Sequence, residues 1–433
     1  MQFQNPELAN LIPSGKYRAK DLTRIEGALR GNGTLTFGRL PSGLFPASSA
    51  GDLSASSGYA NVWVRDNVYV AYAHHASGQT DVAAGAARAL MTFFARHGHR
   101  FENIIAGDAD PQDVSLRPHI RFDGHKLEEI SNQRWPHAQN DALGYFLWLY
   151  ATLACGGHVA LDEPAVSTLS LFPRYFEAIR FWQDEDSGHW EEARKISASS
   201  IGAVVAGLDA LLSLARERTP AFQGEPFGER LLNVTAGLLA RGREALEDIL
   251  PHECAQLSPG KNRRYDAALL FLLFPLEVVS GPMADLLLHD IGRFLQGKFG
   301  VRRYLGDSYW APDYEARLPA DELTRDFSED VGARDALLDR IGDEAQWCLF
   351  DPILSAYHGR RFLERQSGDD LEKQTLHFHR TLGQITASWH CPELYYSRHG
   401  AYVSNPHVPL LWTQANLVLS LEAMRATVSA CGD

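Results

Sequence analysis

Six times along this chain, a short polar cluster stands directly before a strongly apolar segment, and this alternation strongly constrains the fold. The apolar segments carry hydrophobic residues at i, i+3, i+4 and i+7, the spacing typical of α-helices. Helices that are apolar on nearly all sides must be buried. The clusters are WVRDN (63–67), WPHAQND (135–141), WEEARKISASS (190–200), NRRYD (262–266), DEAQW (343–347) and PLLWTQ (409–414).

Amphipathic segments lie between the buried ones and can form an outer layer, since only one face of each is apolar. They cover residues 79–96, 165–182, 226–247, 284–296 and 371–388. Six buried helices inside an outer layer predict an all-α fold, an (α/α)6 toroid that occupies residues 1–433 as a single domain. The clusters are spaced more widely than the repeats of about 34–45 residues in an α-solenoid, which favours the closed ring.

Only the stretch 31–62 lacks helical spacing. It is rich in Gly, Ser and Pro, so a short irregular or β-hairpin segment near the N-terminus is expected. In the toroid, the six polar clusters meet at one end of the ring, at the N-termini of the inner helices. We therefore expect a concave, aromatic-lined pocket with a few convergent polar groups there, the usual form of a small-molecule site.

Composition limits the classes of ligand. Among 433 residues, 41 are Lys or Arg and 54 are Asp or Glu, which gives a formal net charge of −13. An acidic chain without a basic run is a poor candidate for binding nucleic acid or an anionic membrane. A neutral or cationic small substrate is expected instead, whereas the oligomeric state is not predicted.

Targeting and cofactor signals are also missing from the sequence. Five dispersed cysteines without CxxC spacing suit a reducing compartment. The first residues do not form a signal peptide, and no uninterrupted apolar run approaches 18 residues, so a cytoplasmic location is expected. The chain has no HExxH, P-loop or GxSxG motif, so neither a metal nor a cofactor is expected.

The polar clusters resemble those of the glucoamylase family of inverting glycoside hydrolases. They are closer still to the related domain in the α and β regulatory subunits of phosphorylase kinase. The stretches that carry this resemblance appear in the family's order and extend it over roughly residues 30–428 of the chain. They are WVRDNVY (63–69), HWEEARKISASSIGAVVAGLDAL (189–211), YDAALL (265–270) and PELYY (392–396).

The resemblance implies two catalytic carboxyl groups. Inverting hydrolysis needs one carboxylic acid to protonate the leaving oxygen and one carboxylate to activate water, about 6.5–9.5 Å apart. By resemblance, Glu191 is the general acid and Glu393 the general base. Glu344 in the DEAQW cluster is a rival base. We expect the apolar Trp190 and the negative Glu192 to raise the pKa of Glu191.

The resemblance also implies a set of substrate-binding residues. Arg65 and Asp66 match a pair that grips the hydroxyls of the terminal sugar, and a charged donor beside an acceptor suits an uncharged polyol. The other expected residues are aromatic walls, a second arginine and polar lining groups. They are Trp63, Trp135, Trp190, Tyr304, Arg303, Glu192, Gln139 and Asp141.

The function expected from the sequence is an exo-acting, inverting α-glucosidase that releases β-glucose from non-reducing ends and needs no cofactor. Soluble α-glucosides or maltodextrins are the expected substrates. The main alternative is a non-catalytic module that senses glucan or regulates a partner, as in the kinase subunits. A third is another reaction on the same toroid, such as a trehalase or a sugar epimerase, because a fold alone does not determine a function.

Overall fold

A computed structural model describes residues 3–48, 58–130, 135–218, 222, 227–258, 261–319, 322–323, 325, 327 and 330–432. Most of these residues are helical. The α-helices are α1 (Pro6–Ala9), α2 (Ala19–Gly31), α3 (Val64–Ala76), α4 (Thr80–Arg96), α5 (His99–Ala106), α6 (Asn140–Cys155), α7 (Glu163–Ile179), α8 (Ala198–Glu217), α9 (Glu229–Ile249), α10 (Gly281–Asp290), α11 (Tyr314–Arg317), α12 (Val331–Leu337), α13 (Phe350–Arg365), α14 (Gly368–Gln384) and α15 (Leu411–Ala430).

The strands are short and all pair in an antiparallel manner. They form two ribbons of two strands and one sheet of three strands. The ribbons are β1 (Val62–Trp63) with β2 (Arg121–Phe122), and β3 (Cys254–Ala255) with β4 (Asn262–Arg263). The sheet contains β5 (Gln346–Trp347), β6 (Leu394–Arg398) and β7 (Ala401–Ser404).

The apolar segments that follow the polar clusters form a closed inner ring. Along the ring, α3 packs on α6, α6 on α8, α8 on the 3-10 helix Ala267–Leu272, that helix on α13, α13 on α15, and α15 back on α3. A linear solenoid could not make the last contact. The structure therefore has the predicted (α/α)6 toroid.

The amphipathic segments lie outside this ring, as predicted. Helices α4, α9 and α14 each pack on the inner helix that precedes them, which are α3, α8 and α13. One apolar face of each turns to the core; in α9, for example, Leu231, Leu238, Leu239 and Leu246 are buried. The Asp162 carboxylate accepts a hydrogen bond from Ala165 N at 3.0 Å and so caps α7.

The fourth inner element differs from the prediction of a long helix after cluster 262–266. It is a single 3-10 helix, Ala267–Leu272. Pro275 follows closely; it lacks a backbone N–H and disfavours helical geometry at the residue before it. The sequence AALLFLLF is thus apolar enough for an inner helix but is cut short by proline.

The predicted turn-rich stretch 31–62 is irregular where it is described. Residues 32–48 form turns and one isolated bridge, between Ser48 and Leu410, while residues 49–57 lie outside the described part of the chain. Helix α8 is long and apolar enough to cross a membrane by composition, yet 83% of its most apolar window is buried inside the protein. Its place in the inner ring accounts for its apolar character.

Two glycines allow the closest approach between inner helices. A Cβ added at Gly144 of α6 would lie 2.5 Å from the backbone carbonyl of Ala203 in α8, and one at Gly207 would lie 2.7 Å from the carbonyl oxygen of Gly144. Real Cβ atoms do not approach backbone atoms so closely. The α6–α8 contact therefore depends on the absence of side chains at both positions.

Replacement of Gly144 by alanine should destabilise the protein, because backbone atoms must move apart to admit the methyl group. We expect a loss of about 1–3 kcal/mol in the free energy of unfolding, measured by denaturant titration. Gly237→Ala is the matched control: it lies on the exposed side of α9 with no atom within 4 Å of an added Cβ. This control should be neutral or stabilising by up to about 1 kcal/mol. Equal stability of the two variants would contradict the close α6–α8 packing.

Candidate active site

A cavity of about 530 Å³ opens at the end of the ring where the inner helices begin. Five of the six predicted clusters contribute wall residues, the exception being 262–266. At that position the loop 303–309 lines the cavity. The loop is joined to cluster 262–266 by a β-bridge between Tyr304 and Asp266. The volume lies within the range of about 300–1,000 Å³ that is typical of small-molecule sites.

Glu191 projects into this cavity from an unusual backbone position. It follows the 3-10 helix Gly188–Trp190 and adopts a left-handed conformation with φ of 60°. Its Oε1 accepts a hydrogen bond from Trp63 Nε1 at 2.9 Å and lies 3.7 Å from Arg65 Nη1. Its side chain is 20% exposed, so the carboxyl can reach a ligand.

The pKa of Glu191 is raised, as expected from the sequence, but Glu192 is not among the main causes. Burial is the largest factor, opposed by Arg65 and Arg121 and by the Trp63 hydrogen bond, while Asp141 adds to the increase. The predicted contribution of Glu192 requires an uncompensated charge, and Glu192 is paired instead.

Glu192 is held by hydrogen bonds and ion pairs at both carboxylate oxygens. Tyr304 OH donates to its Oε1 at 2.6 Å, Arg303 Nη2 lies 3.1 Å from the same oxygen, and Arg263 Nη2 donates to Oε2 at 3.1 Å. Burial alone would raise its pKa, but Arg263, Arg303 and Lys195 outweigh burial and lower it to about 2. Glu192 is therefore an ionised anchor that also borders the cavity.

The two residues before Glu191 fix its backbone. The His189 ring lies between Tyr145 OH and Ser199 Oγ, each 3.1 Å from one ring nitrogen. Trp190 Nε1 donates to Asp266 at 2.9 Å. Side-chain contacts on both neighbours therefore hold the left-handed turn in place.

Arg65 lines the cavity, and its guanidinium group is held by hydrogen bonds to three neighbouring groups. Its Nε donates to Asp141 at 2.6 Å, and its Nη2 donates to Gln139 at 2.7 Å and to the Gly188 carbonyl at 3.1 Å. Gln139 and Asp141 do not line the cavity, which differs from the expectation that they would contact substrate. Their observed role is to orient Arg65 so that Nη1 faces Glu191.

Asp66 lies near both predicted catalytic residues. It lines the cavity in the first turn of α3. Burial raises its pKa to about 7; the charge of Arg65 opposes this, and the charges of Glu191 and Glu393 add to it. A carboxyl group with this pKa can accept or donate a hydrogen bond near neutral pH.

Glu393 borders the cavity from a distant part of the chain, directly before β6. Its Oε1 accepts a hydrogen bond from Tyr59 OH at 2.8 Å, and its Oε2 accepts one from Asn405 Nδ2. The backbone of Glu393 is tied to Cys348 N at 2.9 Å. Two donors thus hold the carboxylate while it borders the cavity.

The rival base Glu344 lies outside the cavity. Its two oxygens accept hydrogen bonds from Gly306 N and Gly342 N, both at 2.8 Å, and Oε2 lies 3.1 Å from Arg302 Nε. It is fully buried and absent from the lining. Glu344 braces the loop 303–309 and is not placed to activate water in the cavity.

Aromatic rings form much of the cavity wall. Trp63 and Trp135 meet edge to face at 5.9 Å, and the guanidinium of Arg121 lies over both rings. On another side, Trp190 and Trp347 are 5.9 Å apart. Such walls suit the flat apolar faces of sugar rings as well as other ligands with apolar faces.

Arg303 occupies the centre of that second aromatic group. It forms a bidentate pair with Asp307 at 2.7 Å for both hydrogen bonds, and its guanidinium lies 5.0–5.7 Å from the rings of four aromatic neighbours. Tyr304 OH is committed to Glu192. Both residues border the cavity as predicted, and both also hold its wall together.

Several lining residues were not singled out from the sequence. Trp347 and Trp412 stand inside predicted clusters and could have been chosen on that ground. Tyr59, Asp307 and Tyr309 lie in segments without helical spacing, so only three-dimensional contacts identify them. Among the described residues, no group of three or more His, Cys, Asp or Glu side chains could hold a metal ion.

Sequence comparison relates the chain to a family of hydrolases and to regulatory subunits of a kinase. A family model described as Glycosyl hydrolases family 15 matches residues 33–415. A Drosophila melanogaster protein named probable phosphorylase b kinase regulatory subunit alpha is 25% identical over 423 residues, which cover 87% of this chain and 30% of the fly protein. The chain thus spans under a third of that relative's length.

Solved structures share the fold at low sequence identity. A glycosidase variant in complex with glucose has a TM-score of 0.67 at 18% identity, with 95% of this chain and 99% of that chain covered. A bacterial glucoamylase complexed with acarbose has a TM-score of 0.59 at 16% identity, with 89% and 53% covered. The family match extends over most of the chain and includes both Glu191 and Glu393, and the chain accordingly belongs to glycosyl hydrolase family 15.

Proposed function

We propose that this protein is an exo-acting α-glucosidase that hydrolyses α-linked glucosides with inversion of configuration. The observation that carries the proposal is the convergence of two carboxyl groups, from segments about two hundred residues apart, on one aromatic-walled cavity. Glu191 and Glu393 both border it. Two carboxyl groups on either side of a substrate are the minimum that glycoside hydrolysis requires.

The two carboxyl groups are held on neighbouring aromatic side chains. Trp63 donates to Glu191 and Tyr59 donates to Glu393, and the Trp63 and Tyr59 rings are 5.5 Å apart. No hydrogen bond joins the two carboxyl groups within the described part of the chain. Separate carboxyl groups are needed for either stereochemical course of glycoside hydrolysis, and the inverting course is proposed from the resemblance to the glucoamylase family.

The surroundings of Glu191 suit a general acid. Burial raises its pKa, so its protonated form persists to higher pH than that of an ordinary glutamate. In the proposed reaction, Glu191 gives its proton to the glycosidic oxygen as the bond to C1 breaks. Glu393 takes a proton from water as the water oxygen attacks C1 from the opposite face. The products are β-glucose and the shortened glycoside.

Exo action is supported by what lies beneath the cavity. Tyr69, Phe271, Phe350 and Trp412 are all buried at the centre of the ring, and the Trp412 ring lies 5.1 Å from Tyr69 and 5.4 Å from Phe271. This aromatic plug closes the ring axis below Arg65. A dead-end cavity admits the end of a chain rather than its middle, so glucose units would leave one at a time.

The alternative function is a regulatory module without turnover. It rests on the relatives named phosphorylase b kinase regulatory subunits, which the chain matches at 25% identity. In that case the cavity binds a glucan end, or nothing, and no glucose is released. Measurement of glucose release from a panel of α-glucosides separates the two functions directly.

Replacement of Glu191 by glutamine tests the general acid. With an unactivated glucoside, turnover should fall on the order of 10²–10⁴-fold, because the leaving oxygen is no longer protonated. With a glucosyl fluoride the loss should be much smaller, since fluoride leaves without a proton. The alkaline limb of the wild-type pH profile, where turnover falls as pH rises through the raised pKa of Glu191, should also disappear.

Two further variants calibrate that result. Glu393→Gln should impair both substrates alike, because both need an activated water. Glu372→Gln removes an exposed carboxyl of α14, far from the cavity lining, and should match wild type. If Glu191→Gln slowed the fluoride and the unactivated glucoside equally, Glu191 would not be the acid.

Arg65→Lys tests the proposed grip on the sugar. Lysine keeps the charge but loses the planar fork that Asp141 and Gln139 orient, so the Michaelis constant should rise and turnover should fall together. The expected loss in kcat/KM corresponds to about 1.5–3 kcal/mol. Arg117→Lys is the matched control, because Arg117 also forms a buried bidentate pair, with Asp184, but does not line the cavity. It should reduce stability without changing kcat/KM; similar kinetics for both variants would remove Arg65 from the substrate site.

A further inference from the structure

The segment Asn405–His407 lies next to Glu393 and outside the cavity lining. It follows β7, which pairs with β6, the strand that begins directly after Glu393. Asn405 N donates to the Leu394 carbonyl at 3.2 Å, so the segment is tied to the backbone next to Glu393. Asn405 and His407 are both buried, although neither lines the cavity.

Asn405 contacts the Glu393 carboxylate directly. Its Nδ2 donates to Oε2, while its Oδ1 is buried without a hydrogen-bond partner among the described residues. The reversed amide would place two acceptor oxygens against each other. The amide is therefore oriented by Glu393, whose Oε2 accepts its only side-chain hydrogen bond among the described residues.

His407 acts on the other oxygen of Glu393 through Tyr59. Its ring stacks on the Tyr59 ring with centroids 4.0 Å apart and planes 1° from parallel. Tyr59 OH donates to Glu393 Oε1 at 2.8 Å. The stacked ring of His407 covers one face of the Tyr59 ring and so helps to fix its position.

We propose that Asn405 and His407 are positioning residues for the general base: Asn405 fixes one carboxylate oxygen of Glu393 directly, and His407 fixes the other by holding Tyr59. This inference rests on the proposed function, in which Glu393 activates water. With each oxygen held by one donor, the carboxylate cannot rotate, and a lone pair remains to accept the proton of the attacking water. Neither residue lines the cavity, so the proposed role of each is to position Glu393 and not to act on the substrate.

The charges around Glu393 make the proposal measurable by pH. The titratable groups near it are Tyr59, His407, Cys348, Tyr309 and Asp66. Asn405 contacts the carboxylate directly and does not titrate. A negative charge introduced there would lie against the base and disfavour its ionised form.

Asn405→Asp should therefore move the acidic limb of the kcat/KM profile to higher pH by about one unit or more. Asn405→Ala should lower kcat by roughly 10- to 100-fold with KM within about twofold, because the base acts in the chemical step. Ser404→Ala is the control: it precedes Asn405, is partly exposed, and should leave both limbs and kcat unchanged. An unshifted acidic limb in a folded Asn405→Asp variant, judged by its melting temperature, would overturn the role of Asn405.

His407→Phe and His407→Ala separate stacking from any other property of the ring. Phenylalanine can stack on Tyr59, so His407→Phe should keep kcat within about threefold of wild type, whereas His407→Ala should lower it at least about tenfold. Equal losses in the two variants, at equal melting temperatures, would show that stacking on Tyr59 is not what His407 provides.

A crystal structure of the Asn405→Ala variant distinguishes failure of this inference from failure of the proposed function. If the wild type releases no glucose, the hydrolase proposal fails whatever Asn405 does. The carboxylate of Glu393 should still be rotated or present in two orientations in Asn405→Ala, and unchanged in Ser404→Ala. An unmoved carboxylate in Asn405→Ala would overturn the positioning role even in an active enzyme.

Discussion

Closure of the inner ring is the constraint on which the rest of this structure depends. The inner helices are apolar on nearly all sides, so each must find partners around its whole circumference, and only a ring in which α15 returns to α3 supplies them. Once the ring is closed, its axis is filled by aromatic side chains. The polar clusters, which directly precede the inner helices, therefore lie together at the end of the ring where those helices begin.

Buried charge at that end is compensated locally, and each compensating pair also sets the geometry of the site. Arg65 is paired with Asp141, Glu192 with Arg263 and Arg303, and Arg303 in turn with Asp307. A charge left unpaired in such a place would be strongly destabilising. Arg65 offsets the burial of Asp66 and Glu191 only in part, so the pKa values of both carboxyl groups are raised. Titratable groups left with perturbed pKa values in a cavity are those expected to exchange protons.

The sequence indicated much of the fold, because helical periodicity is local and depends on residues a few positions apart. It indicated Glu191 and Glu393 through short motifs. It failed where the outcome depends on contacts between distant segments. Gln139 and Asp141 belong to a polar cluster, yet they lie outside the cavity lining and bind the guanidinium group of Arg65. Glu192 adjoins Glu191 in sequence, yet its partners come from loops about seventy to over one hundred residues away.

The same distinction explains the rival base and the shortened fourth helix. Glu344, like Glu191, stands in a polar cluster before a predicted helix. Only its hydrogen bonds from Gly306 N and Gly342 N show that both of its carboxylate oxygens are used to hold a loop. Pro275, by contrast, is a local signal of helix termination that the sequence itself contains. The end of a helix at a proline can be predicted from neighbouring residues, whereas the direction in which a side chain points depends on contacts with distant segments.

In the proposed reaction, Glu191 and Glu393 act on opposite faces of a terminal glucose. Proton NMR tests this directly, by following the anomeric signals of the product while the wild-type protein hydrolyses maltose. With inversion, β-glucose should accumulate first and α-glucose should appear only at the rate of mutarotation. Initial release of α-glucose would mean retention of configuration and would contradict the two-carboxylate arrangement, and the absence of glucose from every α-glucoside tested would favour the regulatory module.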